Sequence, residues 1–452
     1  MTDASAERSS DGHSHAKTSL LQLDERTKKR NAAEARFKAY GIAALAVGMF
    51  FLIALLTAIV SNGTRAFTQT FVTMDVTFDA QKLDPDGTGD AEVIAKTTTF
   101  GYGGIIDAAL EQTLVASGIT TEIAVSDLDQ MLSSGAAAQI RRAVLDDTSL
   151  VGQTVTLEVL ASSRVDGYLK GRVTRESLAR DRNLSPEHLD VVDALQEAGL
   201  VERRFNWAFI TGADASESRP EQAGIGVSMI GSFFMMLVVL ILSLPIGVAT
   251  SIYLEEFAPQ NRFTDFIEVN ISNLAAVPSI VFGILGLAIF IQVAHLPQSA
   301  PLVGGLVLTL MTLPTIIIST RASLKSVPPS IRDAALGVGA SKMQSIFHHV
   351  LPLAMPGILT GTILGLAQAL GETAPLLLIG MVGFIASNYP DGIAEGFLSP
   401  NSAMPAQIYE WAKRADPAYY ERAWGGIIIL LLFLMTMNII AILLRRRFER
   451  RW

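Results

Sequence analysis

Six stretches of this chain are too apolar and too long for the core of an ordinary soluble domain. Residues 39–60 are almost wholly apolar, and a helical run of that size reaches roughly 33 Å, enough to cross the hydrocarbon core of a bilayer. Five more runs lie near residues 224–253, 267–295, 301–320, 354–384 and 424–444. The pattern predicts an all-α membrane domain of six transmembrane helices. The first run is longer than the apolar region of a signal peptide, and no small-residue cleavage site follows Val60, so it is read as an uncleaved anchor.

Composition matters here because it is uneven. Charged residues make up 17% of the 452 residues and mean hydropathy is +0.39, whereas about 25% charge is usual in soluble proteins. Yet residues 61–222 hold 25 acidic and 14 basic side chains, far too many for lipid. That segment is predicted to be a water-exposed α+β domain inserted between helices 1 and 2. Val155, Leu157 and Val159 alternate like a half-buried strand, while residues 105–116, 128–144 and 186–200 show helical apolar spacing. At about 160 residues it is large enough for a core of its own. The net charge of −8 excludes a generally basic surface and argues against nucleic acid as a partner. With no cysteine, the chain has no disulfide framework, thiolate nucleophile or Cys-type metal site.

Charge placement orients the helices. Residues 1–38 are polar, carry His13, His15 and a basic cluster at Lys28, Lys29, Arg30, Arg36 and Lys38, and read as a disordered cytoplasmic arm. Arg321, Lys325, Arg332 and Lys342 fall on the same side, as does the basic tail of residues 445–452. Both termini are therefore expected in the cytoplasm, with the domain of residues 61–223 and the 385–423 loop outside. Five spans with one re-entrant segment is the alternative, and it places the basic tail on the wrong side.

The most informative cytoplasmic stretch is residues 326–352, within the loop 321–352. It reads as two short helices, with capping boxes at Ser330/Asp333 and Ser341/Gln344 and a bend at Gly337 and Gly339. In the second helix Met343, Ile346, Phe347 and Val350 form an apolar stripe. Two readings are open: a partner protein covers the stripe, or the loop folds back on the ends of the spans.

Asp333-Ala334-Ala335, followed by Gly339, His349 and Leu351-Pro352, resembles the Glu-Ala-Ala-x3-Gly-x9-Ile-x-Leu-Pro loop with which ABC importer permeases dock into their ATPase. Asp333 stands where glutamate is usual and His349 where isoleucine is usual. Three further motifs narrow the family: Ile252-Tyr253-Leu254-Glu255-Glu256-Phe257-Ala258-Pro259, the run 270–281 (Asn270 through Val281) and Ala369-Leu370-Gly371-Glu372-Thr373-Ala374-Pro375. Together these resemble the phosphate-specific transport permease of PstA type over the first span and residues 224–452. The resemblance implies a type I ABC importer permease fold, with phosphate as cargo. It also implies a second phosphate permease subunit forming a heterodimer with this chain, an ABC ATPase dimer and a periplasmic phosphate-binding protein. Coupling to the ATPase would involve Asp333, Ala334, Ala335, Gly339, Met343, Phe347, Leu351 and Pro352. The expected location is a bacterial inner membrane, with residues 224–444 as the permease domain. The domain at 61–223 resembles only an extra domain that some of these permeases carry.

No stretch fits Gly-x4-Gly-Lys-Ser/Thr, and no Ser-His-Asp motif or metal-ligand cluster occurs in the spans. The chain is expected to be no enzyme and to bind no cofactor, with ATP used by the partner subunit. Adjacent His348 and His349 point about 100° apart on a helix and make a poor metal pair. Glu372 stands out, because a charge inside a span costs about 2.5–3.5 kcal/mol at a helix centre and tends to be functional. A fifth span beginning near Ile363 puts it mid-membrane; a start at Ala354 moves it outward. Related permeases commonly carry arginine four residues earlier, where this chain has Gln368. Glu372 must then be protonated, meet a cation from a neighbouring subunit, or face water, and gating suits it better than anion binding. Asn270, Asn273, Ser279, Thr315, Thr373 and Arg321 complete the pathway and gating candidates; the polar ones equally serve helix-to-helix hydrogen bonds. Gly357, Gly361 and Gly365 form a small-residue stripe suited to close helix contact. Sulfate or molybdate permeases are the near alternatives and a membrane ligand sensor a remoter one. The Gly371–Pro375 run argues against the first two, and the small cytoplasmic share of the chain against the third.

Overall fold

The computed structural model describes residues 25–85, 87–178, 184–381 and 389–448. The chain divides into two units, residues 1–58 and 59–452. Helix α1 is Glu25–Gly63, so the unit ending at Ala58 is helical from Glu25 onward. The arm expected to be disordered through residue 38 is thus corrected over residues 25–38. Its alanines, lysines, arginines and glutamates are strong helix formers, and polarity alone does not prevent a helix. His13 and His15 lie outside the described residues. Phe50 and Phe51, both 66% exposed, belong to an apolar surface fit for lipid.

In the second unit a domain is inserted after α1. Strand β1 (Thr68–Thr77) leads through helices α2 (Gly103–Ala116) and α3 (Ala136–Asp146) to β2 (Thr154–Leu160), then through α4 (Pro186–Glu197) to β3 (Val201–Phe205). The sheet is antiparallel with order β2-β1-β3, and Val72 pairs with both Val159 and Val201. Alternation along β1 turns Val72, Met74 and Val76 to one face, where they share a core with Ile105, Leu110, Leu189 and Leu195. The long helix expected over residues 128–144 is broken. Residues 125–131 make short turns, Leu132 bridges to Ala161, and α3 starts only at Ala136.

This core closes at Val201. Phe209, Ala215, Ala223 and Ile225 instead join a second core with Trp411, Tyr419 and the ends of the spans, so the stretch expected to be one domain over 61–223 is shared between two cores. Buried charge fastens the two together. Lys170 Nζ reaches Asp166 at 2.7 Å and Glu421 at 2.6 Å, and donates to the Thr68 carbonyl. Arg422 donates to Gln69 Oε1 at 2.6 Å and to the carbonyls of Ala66, Pro220 and Glu221. Ser133 donates to the Glu221 carboxylate, whose pKa burial pushes up.

The membrane part follows as α5 (Gly226–Ile252), α6 (Arg262–Leu274), α7 (Ser279–Gly286), α8 (Pro301–Lys325), α9 (Pro329–Gly337), α10 (Leu351–Gly371), α11 (Met404–Lys413) and α12 (Pro417–Phe448). Among the described residues five helical segments are long and apolar enough to cross a membrane: Glu25–Phe67, Gly226–Phe257, Pro301–Lys325, Lys342–Gly371 and Pro417–Arg447. The run expected as a straight third span over 267–295 is a pair, α6 and α7, bent by 102°. Pro278 explains the break: its ring holds Val277 away from helical geometry, and it precedes the first turn of α7. Counting that pair as one span gives six.

The fifth run also ends early. Proline clashes with the carbonyl four residues before it in a continuing helix, and Pro375 lies four residues after Gly371, the last residue of α10. A short helix, Ala374–Leu378, follows; residues 382–388, and with them the expected end at Phe384, lie outside the described residues. Gly357, Gly361 and Gly365 do provide close helix contact. A side chain at Gly361 would strike Ser319 Oγ, one at Gly357 would strike Ser323 Oγ, and Gly365 faces Ile316, all on α8. Gly361→Leu is expected to cost at least about 1–3 kcal/mol by overpacking, read as a lower Tm and loss of monodisperse protein in detergent. Gly371→Ala, which meets open space, is expected to leave the Tm unchanged.

Candidate coupling face and pathway

Glu255 and Glu256 sit in a π-helical turn, Tyr253–Phe257, that extends α5. Adjacent positions diverge by about 100° on a helix, so one carboxylate reaches the spans and the other the loop. Glu255 meets Arg321 of α8 at 3.4 Å and Lys325 at 3.6 Å, and Arg321 also holds Glu268 of α6 at 2.6 Å. Glu256 receives Nε and Nη2 of Arg332 at 3.0 and 2.7 Å. Arg332 further donates to the carbonyls of Val327 and Leu324. One guanidinium therefore ties α9 to both α5 and the end of α8. The Lys342 ammonium lies 5.2 Å from the centre of the Phe257 ring.

The loop is organised as two helical pieces, with one capping difference. Ser341 and Gln344 form the expected reciprocal box. Ser330 and Asp333 do not: α9 begins one residue earlier, with Pro329 at its first position and Pro328 as a cap without a side-chain bond. Proline there fixes a helical φ and has no amide to leave unpaired. At the bend Gly339 has φ of +89°, a region that disfavours residues with a Cβ.

The apolar stripe divides between the two readings open to it. Ile346 and Val350 are buried with Leu324, Val327, Ala354 and Ile358. Met343 and Phe347 stay 55% and 46% exposed, and Leu336 and Val338 of the first piece join them. Ile346 and Val350, four residues apart, share the side packed on the spans, while Met343 and Phe347, also four apart, share the neighbouring side about 100° round. Ala335 is buried, whereas Asp333, Ala334, Gly339 and His349 are exposed and Leu351 and Pro352 half-buried. His348 Nδ1 lies 3.1 Å from the Gln344 carbonyl oxygen, and no metal-binding group occurs among the described residues.

The pathway candidates do not gather into one hydrogen-bonded site. Glu372 is not inside a helix: it is the extended residue that ends α10, half-buried, with Gln368 exposed one turn before it. Thr373, Ser279 and Thr315 are half-buried and Asn273 exposed. Asn270 spends its amide within its own helix, donating to the Phe266 carbonyl. The structure does join the two helix breaks, since Gly283 of α7 faces Pro375; a side chain there would come within 2.7 Å of Pro375 Cα. Arg321, a pathway and gating candidate, is occupied by two carboxylates. Sequence reading missed Glu256, Glu268 and the role of Arg332. The Glu255-Glu256 pair beside an apolar run was the signal available for them.

Residues 243–452 match the family described as binding-protein-dependent transport system inner membrane component. Residues 24–179 match a family described only as a domain of unknown function, DUF3333. Among relatives, the probable ABC transporter permease protein YqgI of Bacillus subtilis is 30% identical over 53% of this chain and 82% of its own length. The phosphate transport system permease protein PstA 1 of Mycobacterium tuberculosis H37Rv is 33% identical over 50% of this chain and 71% of its own. PstA of Haemophilus influenzae is 31% identical over 48% and 74%. The fold, the bent spans and the loop between them are those of an integral inner-membrane permease component of an ABC transport system. Within that class the chain belongs to the PstA family of permeases.

Two outcomes are expected at this face. Gly339→Ala should cost about 1–2 kcal/mol through backbone strain, not through crowding, since nothing lies within 4 Å of a Cβ there; faster proteolysis at the loop would register it. Arg332→Gln should cost about 1.5–3 kcal/mol by orphaning Glu256. Adding Glu256→Gln should recover part of that loss in thermal unfolding.

Proposed function

We propose that this chain is the permease subunit of an ATP-driven importer for inorganic phosphate. It lines the translocation path together with a second permease and draws its energy from an ABC ATPase dimer docked on the 326–352 loop. A periplasmic phosphate-binding protein delivers the cargo. Both termini lie in the cytoplasm and the inserted domain outside, consistent with the basic residues at 28–38, 321–342 and 445–451. Kinship with PstA proteins carries the choice of phosphate over sulfate or molybdate.

The docking role rests on one observation: Leu336, Val338, Met343 and Phe347 are exposed on a loop whose base is locked by ion pairs. Apolar groups on a rigid base suit a partner's groove, because little ordering entropy remains to be lost on docking. Glu372, at the break between α10 and the next short helix, suits a gate. Residues at helix ends absorb backbone rotation most readily.

The test is radiolabelled phosphate uptake by phosphate-starved cells lacking other high-affinity routes, with and without this gene. Deletion is expected to abolish uptake, and excess sulfate or molybdate to leave it unchanged in the parent. Unchanged uptake on deletion would remove phosphate from the assignment. Phe347→Glu is expected to leave the protein in the membrane while reducing uptake and co-purification of the ATPase about tenfold or more, as for loss of a buried aromatic anchor.

A further inference from the structure

A ladder of aromatic rings runs along the junction between the inserted domain and the spans. Phe209 is fully buried, and a side chain at Gly425 would meet its ring at 2.9 Å. Gly425 lies in the first turns of the apolar part of α12, so Phe209 sits where that span leaves the lipid. Gly63, at the end of α1, packs at the same level against the Trp424 carbonyl. From Phe209 the rings step outward: Phe67 at 5.4 Å, Phe205 at 6.3 Å from Phe67, and Trp207 at 4.7 Å from Phe205. The last two are 47% and 68% exposed. Arg65 and Arg203, both exposed, lie two residues before Phe67 and Phe205 in the chain.

We propose that Phe205 and Trp207 are a membrane anchor, seated among phospholipid headgroups on the side of the inserted domain, with Arg65 and Arg203 meeting lipid phosphates. Three observations select lipid as the occupant. The patch is continuous with the emergence of two helix ends from the apolar layer. Its outermost residue is tryptophan, whose amphipathic ring favours the interface. Arg203 shares the face of β3 with Phe205 and is cationic, matching phosphate. The ladder is also built by short segments, Thr64–Phe67 and Trp207–Thr211, that are pinned by Arg422 and Asn206, so the exposed rings are held in place rather than left on a loose loop. Anchoring would hold the sheet upright at the bilayer surface.

The absence of cysteine makes the test direct. The full chain carrying Trp207→Cys, nitroxide-labelled, is reconstituted in phosphatidylethanolamine/phosphatidylglycerol liposomes, and collision with oxygen is compared with collision with a water-soluble nickel chelate. The comparison site is Thr77→Cys, at the far end of β1. A ratio about threefold or more in favour of oxygen at position 207 is expected for an interfacial site. In parallel, lipids brominated near the headgroup should quench tryptophan emission of the unmodified chain more than that of Trp207→Phe, a substitution on an exposed ring. Equal ratios at both label sites with no differential quenching would place the patch in water and overturn the proposal. Exclusion of both relaxants in the assembled transporter, with no lipid quenching, would make the patch a protein interface and overturn it equally. These readings need no transport, so they stand apart from the choice of substrate.

Discussion

Inside a bilayer every backbone amide and carbonyl has to find its partner within the protein, because lipid supplies none. Long helices meet that demand, and their few interruptions are where the chain's chemistry gathers. Pro278 opens one gap between α6 and α7, and Pro375 opens another between α10 and the short helix after it. Gly283 of α7 packs against Pro375, so the second gap is covered by α7, whereas Ala275, Ala276 and Pro278 at the first gap are exposed. Elsewhere Pro245, Pro314 and Pro356 are tolerated within helices. Each leaves the carbonyl four residues before it without its helical donor.

Apart from Glu372 at the α10 break, the ion pairs described above gather at the two ends of this apolar framework and are organised differently at each. At the end bearing the 326–352 loop, single carboxylates are shared by several cations, as Glu255 is by Arg321 and Lys325. These groups are partly exposed, and such pairs set geometry more than they add stability. At the opposite junction Lys170, Arg422, Asp166 and Glu421 are buried. Buried ions are tolerable only when nearly every hydrogen-bonding position is filled, and four carbonyl or amide oxygens around Arg422 do so.

Much of the membrane part could be read in advance because lipid imposes a single, local rule on composition. The glycine stripe at 357, 361 and 365 and the Ser341/Gln344 cap were legible for the same reason: each is a short-range pattern with one dominant physical meaning. What escaped was decided at long range. The packing of α7 against Pro375 joins positions almost a hundred residues apart. Strands β1 and β3 lacked clean alternation, since β1 is buried on both faces at Gln69 and Thr70 and β3 is exposed from Glu202 to Phe205. The family resemblance points to the loop but not to the carboxylates beneath it, and the partners of Arg321 lie 66 and 53 residues away, beyond the reach of a local pattern.

The buried ion pair of Glu421 with Lys170 and the hydrogen bonds of Arg422 have a mechanical consequence. Both residues belong to the first turns of α12, and they grip the root of β1 at residues 66–70. The last helix and the sheet are thus one rigid lever with its fulcrum at that grip. Strand β1 extends roughly 30 Å from root to tip at about 3.3 Å per residue, so a tilt of about 10° in α12 sweeps the tip through as much as ~5 Å. Any rocking of that one helix would therefore be magnified at the far end of the strand.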